Sequence, residues 1–157
     1  MEAAREHFMP LVAKTSRIAS IGILRCEYFD RFVFQGPPAK AVITELFRDD
    51  SPYVAPLAAR ASTAGQLWHV HTGNFEPAQK GRRLINVNLD AADNPDGNRS
   101  VRVHTFAEDQ GLAAVFSDLS DIENSLNDLH YRLKSVLQSL ITPKLCLAIG
   151  LSPPEAN

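Results

Sequence analysis

Arg83-Leu84-Ile85-Asn86-Val87-Asn88-Leu89-Asp90 is the stretch whose reading decides the fold. Ile85, Val87 and Leu89 share one parity, and Asn86, Asn88 and Asp90 share the other. Successive side chains of a strand point to opposite faces, so this period of two reads as a β-strand with one apolar and one polar side. The run from Arg99 to Ala107 repeats the pattern, with Val101, Val103 and Thr105 set against Arg102, His104 and Phe106. Between them, Asp93-Asn94-Pro95-Asp96-Gly97-Asn98 concentrates turn-forming residues, which predicts an antiparallel hairpin.

Two more strands are expected upstream. Gln66 to Phe75 contains Trp68-His69-Val70-His71-Thr72-Gly73. There His69 and His71 share a face, while Trp68 and Val70 point the other way, into a core. Arg17 to Phe34 is the richest strand-forming run, with Ile18, Ile21, Ile23, Tyr28, Phe29, Phe32 and Val33. Its alternation breaks near Cys26 to Phe29, which predicts a strand buried on both faces or bent by a bulge. Arg25, Glu27, Asp30 and Arg31 read there as structural ion pairs or sheet-edge side chains.

The helices frame these strands. Residues 3–14 predict a short helix limited or kinked by Pro10. A second helix is expected over 38–48, from Val42, Ile43, Leu46 and Phe47, and residues 49–64 read as loop. The C-terminal helix has the clearest signal. Leu119, Ile122, Leu126, Leu129, Leu133, Val136 and Leu140 fall on one stripe. Ser120 and Glu123 make a capping box, with Asp118 and Asp121 adding charge that the helix dipole favours. Thr142-Pro143 predicts a final turn of helix, with Thr142 as cap and Gly150 at its end. The fold class that follows is α+β: a mostly antiparallel β-sheet of about four strands with the long C-terminal helix packed on one face. Residues 1–150 read as a single domain and 151–157 as a frayed tail.

Composition narrows the function classes. Of the 157 residues, 45 % are hydrophobic and 22 % charged, with 16 basic and 18 acidic side chains for a formal net charge of -2. A nucleic-acid binder ordinarily carries a basic excess or stripe, so that class is disfavoured. Lys80, Arg82 and Arg83 form the densest basic group and read as a solvated turn. Cys26 and Cys146 are distant and lie in apolar surroundings, as buried thiols rather than a disulfide or zinc framework. No segment has the apolar length of a membrane span, and the acidic start Met1-Glu2-Ala3-Ala4-Arg5-Glu6 is no signal peptide. A cytoplasmic protein is the expectation.

Candidate chemistry gathers on the polar side of the sheet. If Val70, Val87 and Val101 face the core, His69, His71, Asn86, Asn88, Asp90, Arg102 and His104 share the opposite face. A zinc site from three imidazoles and a carboxylate is one reading, though no third ligand lies at a diagnostic spacing. A solvated polar face is another, and a polar ligand pocket under a further element is a third. The candidate ligand-binding residues are therefore His69, His71, Asn86, Asn88, Asp90 and His104. No catalytic residue, metal or cofactor is assigned, for the chain holds no Gly-x-Ser-x-Gly elbow and no phosphate-binding glycine loop. His130, beside the apolar stripe, reads as a structural histidine.

Several blocks occur in a familiar order: Tyr28-Phe29-Asp30-Arg31-Phe32, Leu46-Phe47 with Ser51-Pro52-Tyr53, Trp68 to Gly73, Leu84 to Asp90, Leu129-His130, Ser139-Leu140-Ile141-Thr142 and Lys144-Leu145. Across residues 17–147 the chain resembles the C-terminal half of a sporadically distributed family of uncharacterised bacterial proteins. Members of that family usually have an additional N-terminal region, and many carry a residue bulkier than Asn74 before the phenylalanine. The resemblance implies a bacterial origin and transfers no catalytic residue. The expected function is a non-enzymatic interaction or oligomerisation module, with a homodimer or protein partner bound through the C-terminal helix. Burial of that stripe within the chain is the competing reading. The alternative function is a small-molecule-binding or metal-dependent hydrolytic domain built on His69 and His71.

Overall fold

Four antiparallel strands form one sheet in the order β1-β4-β3-β2: β1 (Ile23–Val33), β2 (His69–Pro77), β3 (Arg82–Asp93) and β4 (Arg99–Gln110). The computed structural model describes residues 9–15, 20–38, 41–78, 81–112 and 119–152. The α+β class, the antiparallel sheet and the long helix on it are as the sequence predicts. Asn94 to Asn98 turns β3 into β4, with Gly97 at a positive φ of 82°.

The helices are α1 (Met9–Thr15), α2 (Pro56–Thr63), α3 (Leu119–Leu140) and α4 (Pro143–Ala148). Helix α3 lies against β1 and β4 on one face of the sheet. There Leu129, Leu133, Val136 and Leu140 meet Ile85, Val87 and Leu89 of β3 and Val101 and Val103 of β4 in one core. Burying a side chain of that size contributes roughly 1.5–3 kcal/mol, which is what seats the helix. Trp68 is in the same core, edge-on to Phe47. The stripe read as a surface for a partner thus rests on its own sheet, with only Leu119 at 37 % exposure among its large exposed members. Among the described residues no helix is long and apolar enough to cross a membrane.

Several local expectations need correction. The described residues 41–48 do not form the expected α-helix: a 3₁₀ turn spans Ile43–Glu45, and Phe47 bridges to Ile141 as extended chain. The β-branched run Val42-Ile43-Thr44 disfavours helix, and Ile43 and Phe47 are held by burial instead. Helix α2 occupies the supposed loop, with Pro56 at its first turn and alanines at 58, 59 and 61. Strand β1 has neither a bulge nor two buried faces, since its register with β4 is unbroken and its outer side is exposed. Arg83 is not in a solvated turn; it points inward, 6 % exposed, onto Asp109. Pro10 is the second described residue of α1. Ser120 is already helical rather than a cap. Residues 3–8, Lys80, Asp118 and the tail from 153 lie outside the described residues. Thr142 does cap α4, its hydroxyl accepting from the Leu145 N–H, and Gly150 follows with a positive φ of 75°.

Candidate functional site

Helix α3 packs on the inner face of the sheet, and the outer face carries its side chains in cross-strand rows. One row runs His69, Asp90, Arg102, Arg31 from β2 to β1; the next runs His71, Asn88, His104, Phe29; a third runs Gly73, Asn86, Phe106, Glu27. The six candidate residues, His69, His71, Asn86, Asn88, Asp90 and His104, therefore share one face. Five of them line a single open basin of about 440 Å³, together with Phe29, Arg31 and Arg102. Asn86 lies one row further on and is 8 % exposed.

Hydrogen bonds hold the imidazoles in place. His69 Nδ1 is bonded to the Asp90 carboxylate, and the Asn86 amide nitrogen lies 2.9 Å from His71 Nε2. His104 takes a contact at 3.4 Å from Asn88 on Nδ1 and one at 3.1 Å to Glu27 on Nε2. Its ring stacks on Phe29, with centroids 4.1 Å apart and planes 9° from parallel. The His104 contact, with Arg25 beside it, holds the Glu27 carboxyl below the usual carboxylate range. Asn86 and Asn88 each keep a buried side-chain oxygen without a hydrogen-bond partner. Gly73 leaves room for Asn86, since a Cβ there would stand 3.1 Å from the Asn86 amide nitrogen and 2.7 Å from the Ile85 carbonyl oxygen.

The rings share a face without converging. His69 and His71 centroids are 6.4 Å apart with planes at 81°, and His104 is two strands away from them. Among the described residues no group of three His, Cys, Asp or Glu side chains is close enough to hold a metal ion. The zinc reading therefore finds no ligand set here.

Phe29 and Arg31 escaped the sequence reading because the pairing of β1 with β4 brings them in. The alternation of Arg25, Glu27, Phe29 and Arg31 at odd positions was the available signal. A second recess, about 270 Å³, opens on the inner side of β1 between Tyr28, Asp30, Thr105, His130 and Lys134. Tyr28 Oη lies 2.5 Å from His130 Nδ1, so His130 has a specific partner rather than a general place beside the seam. Burial, with Cys26 close by, pushes the Tyr28 phenol up to about 12, and burial raises Asp30 as well.

Compared with known proteins, the chain matches no family model, no curated protein and no solved structure.

Proposed function

We propose that this chain is a non-enzymatic interaction module of a bacterial cytoplasm, and that its recognition surface is the outer sheet face rather than α3. One observation carries the reading: Arg31 and Arg102 stand directly opposite each other on β1 and β4, inside the basin that holds His69, His71 and His104. Like charges in direct cross-strand register destabilise a sheet unless an anion joins them. The neighbouring carboxylate, Asp90, is engaged by His69. Phe29, 72 % exposed, adds a flat apolar wall beside the arginine pair. The occupant that fits is an acidic segment of a partner protein, whose carboxylates pair with guanidinium groups bidentately.

A second reading, a small anionic molecule in the same basin, rests on the basin's volume of about 440 Å³ and on Arg31 and Arg102 in its lining. Titration with a polyglutamate peptide, followed by NMR of the histidine side chains, tests the proposal. Shifts at His69, His71 and His104 that weaken at least tenfold in Arg102→Ala support it. No response at millimolar peptide, or a response to polyuridine alone, overturns it.

A further inference from the structure

We infer that two copies of this chain join through β1, extending the sheet antiparallel about a two-fold axis at Phe29. The inference does not rest on the ligand assigned to the outer face, although both readings draw on Phe29 and Arg31. Strand β1 is an edge strand of 11 residues, paired on one side with β4 and free of bulge, glycine and proline. The other edge, β2, is shorter and carries Gly73 and Pro77, which blunt it. A long regular edge with a row of unpaired N–H and C=O groups is a template for another strand.

The backbone decides which residues can meet. The Phe34 N–H donates to the Arg99 carbonyl. In an antiparallel ladder the inward-bonding residues alternate, so the even positions of β1 bond to β4. Arg25, Glu27, Phe29 and Arg31 therefore direct their N–H and C=O groups to the edge away from β4, where no other described strand pairs. A second β1 must pair odd residues with odd residues.

Side chains then select the register. Centred on Phe29, the pairing sets Glu27 opposite the partner's Arg31 and Arg31 opposite the partner's Glu27, with the two Phe29 rings on the axis. On the inner face Cys26 meets the partner's Phe32, and Tyr28 meets the partner's Asp30. Moving the partner by two residues puts Arg25 opposite the partner's Arg31 in one direction, and Asp30 opposite the partner's Asp30 in the other. Both bring like charges together, which costs stability in direct pairs. The alternating charges of β1 thus complement themselves in one register. Two observations agree with it: Phe29 is 72 % exposed in the single chain, and the carboxyl of half-buried Asp30 has no hydrogen bond or ion pair among the described residues. The same pairing would bring the two Tyr28 recesses together at the axis.

Sedimentation equilibrium with the full chain tests the association. The wild type is expected at twice the 17.3 kDa chain mass. Glu27→Arg should weaken association at least tenfold, and Glu27→Arg with Arg31→Glu should restore it, with far-UV dichroism confirming the fold in each. Register is tested by oxidation: paired Phe29 Cα atoms about 5.5 Å apart suit a disulfide, so Phe29→Cys should cross-link and Arg31→Cys should not. The wild type, with Cys26 and Cys146, is the control. A monomer at hundreds of micromolar, a dimer indifferent to Glu27→Arg, or equal cross-linking at positions 29 and 31 overturns the inference.

Discussion

The Arg83 guanidinium closes on the Asp109 carboxylate through two hydrogen bonds, 2.6 and 2.9 Å, with both side chains 7 % exposed. A third bond, 2.6 Å, reaches Asp128 on α3 and ties the helix to the end of the sheet. Asp109 and Asp128 hold the Arg83 pKa well above its ordinary range, so the charge is permanent.

Removing that charge should expose its cost. Arg83→Ala leaves the Asp109 carboxylate buried without its partner, and breaking such a pair typically costs about 3–5 kcal/mol. Asp128→Ala removes a side chain that is 53 % exposed and should cost no more than about 1 kcal/mol. Urea denaturation of the two variants distinguishes them. Equal, small losses would show that the cluster contributes little.

Glu76 and Arg132 form a second clasp, from β2 to α3, with bonds of 2.9 and 2.8 Å. The Arg132 guanidinium holds the Glu76 carboxyl below its ordinary 4.5. A carboxyl lowered in the folded state contributes stability that is complete above its unfolded pKa and is lost as pH falls through the folded value. The pair is partly in water, so the contribution is about 1 kcal/mol. Glu76→Gln should therefore melt below the wild type at pH 7, with the gap closing as pH falls below 4.5. A gap that persists unchanged at pH 3 would remove the ion pair as its cause.

The polar face was legible because β2, β3 and β4 alternate strictly, and alternation assigns each side chain a face before any pairing is known. That placed His69, His71, Asn88, Asp90 and His104 together. What alternation cannot supply is strand order. Nothing local in Phe29 or Arg31 says that β1 pairs with β4 rather than with β2, so the arginine pair and the stacked His104 stayed hidden. The α2 helix was hidden by Pro52 and Pro56, read as loop signals although Pro56 opens a helix. Arg83 was misread because three neighbouring cations suggested solvent, whereas its odd number places it on the same side as Ile85 and Val87.

Gly73 marks a close approach of β2 to β3. A methyl group there would meet the Ile85 carbonyl oxygen at 2.7 Å, a backbone atom that cannot move aside cheaply. Gly73→Ala should cost about 1–3 kcal/mol, as overpacking does, and displace the Asn86 amide from His71. Thermal denaturation measures the first effect, and the His71 ring resonances report the second. A variant as stable as the wild type, with unshifted His71 signals, would show that β2 has slack here.

The seam of α3 decides between two roles for its leucines, and Leu133 separates them. A partner-facing leucine changed to aspartate would leave the monomer folded and abolish only association. Leu133 is instead 1 % exposed, in the core with Val87, Val101 and Val103. Leu133→Asp would bury a carboxyl with no partner, a cost of several kcal/mol against a stability of only about 5–15. The expected result is loss of the cooperative melt. Leu147→Asp on α4, where the side chain is 67 % exposed, should stay within about 0.5 kcal/mol of wild type. A folded Leu133→Asp monomer would return the stripe to the role of a docking face and place the sheet's core elsewhere.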